Sequence, residues 1–131
     1  MILLDTHIWV WWIGGDPKLP ARYRDYIREH ESEGLAVSVI SCWEVALKSA
    51  RGQLQLTTEA PVWIRSALDY PGIMLADLTV DIVVEATRLP AAFHRDPADR
   101  MLVATARLQG CPLLTADAAI LQYPHVRLAI P

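Results

Sequence analysis

A chain of 131 residues, 53% hydrophobic and only 21% charged, can bury a sizeable core, which excludes a disordered chain. No apolar run reaches the ~18 residues of a membrane span. Ile8 to Ile13 is too short for one and lacks the basic flank of a secretory leader, so a soluble cytoplasmic protein is expected.

The formal charge of −3 argues against a broad basic clamp, yet discounting the four acids singled out below turns it into +1. Ten of the 12 basic residues are arginines, which suit paired contacts with phosphate. No internal repeat or low-complexity linker divides the chain, and one domain over residues 1–131 is expected. Cys42 and Cys111 share no metal-ligand spacing and read as buried, reduced thiols.

Met1 to Leu4 is a continuous apolar run ending on Asp5, the pattern of a strand buried on both faces. Thr6 to Ile13 reads as a helix, with Trp9, Trp12 and Ile13 at helical spacing and Gly14-Gly15 as its stop. Pro20 opens a second helix, which carries Tyr23, Tyr26, Ile27 and His30 on one stripe and ends at Gly34. Leu35 to Val39 is the second strand, and Ser41 begins a helix running to about Arg51.

Glu59 to Tyr70 is helical, and Ile73 to Ala76 is a third apolar run. Thr79 to Leu89 turns Ile82, Val83, Ala86 and Leu89 inward. Pro97 opens a helix that closes at Gly110. Pro112 to Thr115 is a strand, Asp117 starts a short helix, and Val126 to Ile130 is a last strand. Buried strands alternating with amphipathic helices predict an α/β fold with a parallel sheet. Ligands of such sheets bind beyond the carboxyl ends of the strands.

Four acids fall on that rim: Asp5, Glu44, Asp99 and Asp117. Three of them admit a purely structural reading. Ser41-Cys42-Trp43-Glu44 has the spacing of a capping box, Asp96-Pro97-Ala98-Asp99 that of a capped helix start, and Asp117 that of an N-cap. Asp5 has no such reading, because a lone carboxylate at the end of a central strand is costly to ionise without a cation. A metal shared among the four acids resolves all the burials together. Carboxylates without thiols or a histidine pair favour Mg²⁺ or Mn²⁺, and a water activated by such an ion is a nucleophile for phosphorus.

The stretches Leu3-Leu4-Asp5-Thr6-His7, Ser41 to Lys48, His94 to Ala104 and Leu113 to Asp117 occur in that order. Together they resemble the PIN-domain ribonucleases, most closely the VapC-type toxins of bacterial toxin–antitoxin pairs. The resemblance spans essentially the whole chain. It implies a three-layer α/β/α sandwich around a mainly parallel sheet of about five strands.

It also implies a Mg²⁺- or Mn²⁺-dependent endoribonuclease that inhibits translation and growth, is homodimeric, and is silenced by a VapB-type antitoxin. Asp5, Glu44, Asp99 and Asp117 take the family's acidic positions, and Thr6 and Thr115 its small hydroxyl positions. Asp96 is an extra acid that also reads as an N-cap. His94 and Lys48 are candidates for substrate phosphate, although Glu44 and Lys48 also form an ordinary i,i+4 helix pair.

The five tryptophans can stack on bases, but core or subunit-interface packing is the better reading, with at least one of Trp9, Trp11 and Trp12 facing outward toward a partner. Other readings are a PIN-like nuclease of RNA processing without an antitoxin, and a receiver-like or catalytically silent Mg²⁺-binding module. A receiver domain needs adjacent acids after its first strand, where Asp5 stands alone. A haloacid-dehalogenase-like phosphatase needs D-x-D there, and residue 7 is His. No phosphate-binding glycine loop occurs.

Overall fold

The computed structural model describes residues 1–131. Four short strands, β1 (Ile2–Leu4), β2 (Leu35–Ser38), β3 (Ile73–Ala76) and β4 (Leu113–Leu114), form one sheet in the order β3-β2-β1-β4. Every pairing is parallel, with Leu3 opposite both Ala36 and Leu113. The chain builds outward from β1 to β2 and β3, then returns to place β4 on β1's other side. That reversal makes the β1–β4 junction a topological switch point, where the loops diverge and leave a crevice.

The expected last strand, Val126 to Ile130, contracts to a single parallel bridge between Leu113 and Leu128. Leu113 donates its N–H to the Arg127 carbonyl and accepts from Ala129, each within 3.0 Å, and the pairing stops there. With β4 only two residues long, nothing remains for a longer fifth strand to pair with.

Seven helices cover the sheet: α1 (Thr6–Gly14), α2 (Ala21–His30), α3 (Val39–Ala50), α4 (Ala60–Leu68), α5 (Val80–Thr87), α6 (Pro97–Gln109) and α7 (Ala118–Leu121). The two-residue alternation of the strands sorts the core into two layers. Ile2, Leu4, Leu35, Val37 and Leu114 face Ile8, Trp9, Tyr23, Ile27, Trp63 and Ala67 of α1, α2 and α4. Leu3, Ala36 and Leu113 face Ile82, Ala86, Leu102, Val103 and Ile120 of α5, α6 and α7. Helix α3 serves both layers, giving Ile40 to one and Val45 to the other. This is the three-layer α/β/α arrangement.

Several helix boundaries differ from the sequence reading. Helix α2 ends at His30 and a 3-10 turn (Glu31–Glu33) fills the space before Gly34. Helix α3 starts two residues earlier than expected, because Ser38 rather than Ser41 is its N-cap and accepts from the Ile40 N–H at 3.1 Å. Strand β3 is the sheet edge, which leaves Met74 and Leu75 about half exposed. Helix α6 matches its sequence signals: Asp96 caps it, Pro97 follows, and Gly110 closes it at φ 64°, a left-handed conformation that glycine adopts without strain. No helix is long and apolar enough to cross a membrane. Cys111 is buried and Cys42 partly buried, and both are free thiols.

Candidate active site

At the switch point, β1 stops at Leu4 and the next side chain is Asp5, 3% exposed. Contrary to the sequence reading, Asp5 is a cap: it is the N-cap of α1, and its Oδ1 accepts the Thr6 N–H at 2.7 Å. Its Oδ2 accepts the Thr115 hydroxyl at 2.7 Å. Behind it, His7 Nδ1 lies 3.6 Å from Oδ2, and His7 Nε2 accepts the Ala116 N–H at 3.1 Å. That second contact requires the proton to sit on Nδ1, toward Asp5. The buried carboxylate therefore has donors in place of the lysine or arginine that the sequence lacks nearby.

Thr115 joins the two sides of the crevice. Its Oγ1 also accepts the Asp117 N–H at 3.0 Å, and its carbonyl accepts the Tyr23 hydroxyl at 2.9 Å. Asp117 in turn caps α7 by accepting the Ala119 N–H at 2.9 Å. The position of this acid is thus fixed by its own helix start.

The early start of α3 changes the meaning of Glu44. The capping-box reading fails: Ser38 does the capping, and Glu44 lies in the second turn, its side chain directed at the crevice. Its Oε1 accepts the Thr6 hydroxyl at 2.5 Å, and Ser41 Oγ, fully buried, lies 2.8 Å from the same oxygen of Thr6. One hydroxyl carries one proton, so Thr6 donates to Glu44 and accepts from Ser41. Burial pushes the Glu44 carboxyl up, the Thr6 hydrogen bond and Lys48 pull it down, and the charges of Asp5 and Asp96 raise it again. Lys48 Nζ stands 3.6 Å from Glu44 Oε2 as the expected i,i+4 pair.

Asp99 completes the rim from the first turn of α6. Its N–H donates to the capping Asp96 Oδ1 at 3.0 Å, so Asp96 is spent on the helix start. The Asp99 carboxyl is pushed up to about 8, first by burial and then by the charges of Asp5, Asp96, Asp117 and Glu44. His94 Nε2 lies 3.0 Å from Asp99 Oδ2. Arg100 holds the His94 loop in place by donating to the carbonyls of Ala86, Phe93 and His94 at 2.7, 3.1 and 3.2 Å.

The four acids sense one another's charge, but the tightest set of metal-ligating atoms is His94, Asp99 and Asp117, all within 4.8 Å of one another. Asp5 and Glu44 stand outside that set, their oxygens bound to Thr6 and Thr115. A carboxyl raised to about 8 among four other acids holds its proton more tightly than an ordinary carboxyl, and a cation entering this corner would take the proton's place. Oxygen ligands in such a corner suit a hard divalent cation.

Comparison with known proteins fits this geometry. A model of the PIN domain family matches residues 2–126. The chain belongs to the PIN-domain family. A curated relative, Ribonuclease VapC22 of Mycobacterium tuberculosis, is 31% identical over 126 residues, which cover 96% of this chain and 94% of the relative. Among solved structures, VapBC2 from Rickettsia felis bound to a promoter DNA fragment superposes with a TM-score of 0.73 at 16% identity, covering 98% of each chain. FitAcB from Neisseria gonorrhoeae gives a TM-score of 0.71 at 19% identity over 98% of this chain and 96% of that one. The likeness within the PIN domain is to the VapC type.

The sequence reading placed the four acids on one rim, and in the structure Asp99 lies close enough to Asp5, Glu44 and Asp117 to feel the charge of each. That reading overlooked His7 and Ser41. The signal for Ser41 was present, since a serine three residues before a site acid on one helix shares its face. It was misassigned because Ser38, the true cap, was read as strand. His7 lies in the first turn of α1, two residues beyond Asp5, where a side chain can reach back over the strand end.

Proposed function

We propose that this PIN domain is a divalent-metal-dependent endoribonuclease, the toxin of a toxin–antitoxin pair that inhibits translation and growth. The observation that carries the reading is the cluster of His94, Asp99 and Asp117, whose ligand atoms lie within 4.8 Å of one another, in the electrostatic reach of Asp5 and Glu44. Asp99 and Asp117 would hold Mg²⁺ or Mn²⁺, with Asp5 and Glu44 completing its surroundings directly or through water. The ion, when bound, polarises a phosphoryl oxygen and lowers the pKa of water.

The rest belongs to the chain. Thr6 and Thr115 fix the rotamers of Glu44 and Asp5, so these carboxylates need no rearrangement when substrate arrives. His94, beside Asp99 and 37% exposed at its side chain, is placed to donate to a substrate phosphate at the mouth. Lys48, at the other side, is placed to do the same. In-line hydrolysis of this kind leaves a 5′-phosphate and a 3′-hydroxyl, with no role for the RNA 2′-hydroxyl as nucleophile.

A VapB-type antitoxin as partner is supported by the likeness to a VapC-named relative and to VapBC structures, and the homodimer is part of the same proposal. Incubation of the purified protein with end-labelled RNA in Mg²⁺, Mn²⁺ or EDTA tests the activity. Cleavage is expected with metal only, with 5′-phosphate ends. Products ending in a cyclic phosphate, or equal cleavage in EDTA, would refute it.

A further inference from the structure

Trp43 has no place in the site described so far, yet it sits beside Glu44 on α3. It is 51% exposed, whereas the other four tryptophans are buried or partly buried. Trp9 packs edge-on against Trp63 at 5.2 Å and Trp12 against Tyr70 at 6.3 Å, but no aromatic ring or cation covers Trp43. Along α3, Trp43, Leu47 and Arg51 follow at four-residue spacing, next to the row of Glu44 and Lys48.

With Gln53 on one side and Asp96 across the gap, these residues line a cleft of 230 Å³. Glu44, which also binds Thr6 in the site, lines this cleft together with Asp96, while Lys48 and the C-cap residue Arg51 follow one and two turns further on. The Arg51 side chain makes neither a hydrogen bond nor an ion pair within the protein.

A bare indole face, a free guanidinium and a carboxamide, arranged along a groove that shares Glu44 with a phosphate-cleaving site, match the parts of a single-stranded nucleotide. The base has a flat face, the phosphate takes paired donors, and the base edge takes an amide. Five of the nine lining residues are charged or carry an amide, and both signs of charge are present, a mixture that suits the base, amide-bonding edge and phosphate of a nucleotide better than the uniformly apolar face of a partner helix. We propose that this cleft is a nucleotide subsite, in which a base flanking the scissile bond lies on Trp43 and its phosphate meets Arg51 and Lys48. The assignment rests on the nuclease reading above.

The test is a double-mutant cycle between Trp43 and the RNA. Binding of a dye-labelled single-stranded oligoribonucleotide is measured by anisotropy in an Asp5→Asn background, alongside copies carrying one abasic position. Cleavage is measured in the otherwise unaltered chain. Trp43→Ala is expected to weaken binding about tenfold, the scale of one stacked base. One abasic position should cost as much in the Trp43 protein and nothing more in Trp43→Ala. Trp43→Phe should retain most of the affinity, and Arg51→Gln should weaken binding and flatten its salt dependence.

If Trp43→Ala folds poorly by circular dichroism, Trp43→Leu takes its place in the cycle, keeping apolar volume without the π face. Equal abasic penalties in both backgrounds, with RNA still cleaved, would overturn the subsite and leave the nuclease reading intact. So would an unchanged RNA affinity together with lost binding to a protein partner. RNA neither bound nor cleaved by the unaltered chain overturns both.

Discussion

Asp5 and Asp99 are carboxylates on the same rim, and the more deeply buried one is the better accommodated. Asp5 is 3% exposed but meets the Thr6 N–H and the Thr115 hydroxyl at 2.7 Å each, with His7 behind. Asp99 is more open, has His94 as its side-chain partner, and faces four other acids that help hold its carboxyl near 8. Burial alone does not decide whether a carboxylate is comfortable; the donors aimed at it do. The β1–β4 corner is therefore a rigid frame, and the α6 corner is where charge is left for a cation to balance.

Paired asparagine substitutions probe this division most strongly. Asp5→Asn and Asp99→Asn should each reduce RNA cleavage to the level seen in EDTA. Their effects on stability should have opposite signs. Asp5→Asn leaves a buried donor unmatched and should cost about 1–3 kcal/mol in urea unfolding. Asp99→Asn removes an unfavourable charge and should stabilise the metal-free protein at pH 8. Stability losses of the same sign in both variants would erase the distinction between frame and charge-deficient corner.

Thr6→Val addresses the frame alone. The valine keeps the shape but leaves Ser41 and Glu44 without their shared hydroxyl. Loss of a residue that orients a ligand costs roughly 10–100-fold in metal affinity or activity. A fall of that size in Mn²⁺ affinity by calorimetry is expected, and an unchanged affinity would show that Glu44 needs no orienting partner.

The sequence exposed the rim more readily than its internal bonding. Alternating apolar runs located the strands, and an acid follows or faces each strand end of the crevice, so Asp5, Glu44, Asp99 and Asp117 could be placed together. Their hydrogen bonds could not be read, because they join residues far apart in the chain, such as Thr115 to Asp5 and Thr6 to Glu44. Ser38 shows why boundaries slip: its side chain caps α3 while its backbone still pairs with β3, so it belongs to both elements. The last strand failed for a tertiary reason, since a two-residue β4 sets how far any neighbour can pair. Trp43 was inseparable from the core tryptophans until α3's start fixed which face it occupies.

The pH dependence of stability sharpens the Asp99 side. Its folded carboxyl is held at about 8, against about 4 in an unfolded chain. The contribution of this group is thus fully present below about pH 4, erodes as the pH climbs, and is lost above about pH 8. Metal-free protein should melt at progressively lower temperature from pH 5 to 8, and Asp99→Asn should flatten that slope. Added Mn²⁺ should restore stability most at the alkaline end, where the carboxylate is free to bind it.

The smallest expected effect concerns the one ammonium that faces the acids. Lys48 is about half exposed and stands 3.6 Å from Glu44 Oε2, so solvent screens the pair and the i,i+4 geometry sets its scale. Lys48→Met, which keeps the aliphatic stem, should cost roughly 0.3–0.5 kcal/mol in the metal-free protein. Saturating Mn²⁺ should shrink that loss, because a nearby divalent charge takes over the compensation of Glu44. A loss that persists undiminished in metal would place the ion's field away from Glu44, and would confine the cation to the corner built by His94, Asp99 and Asp117.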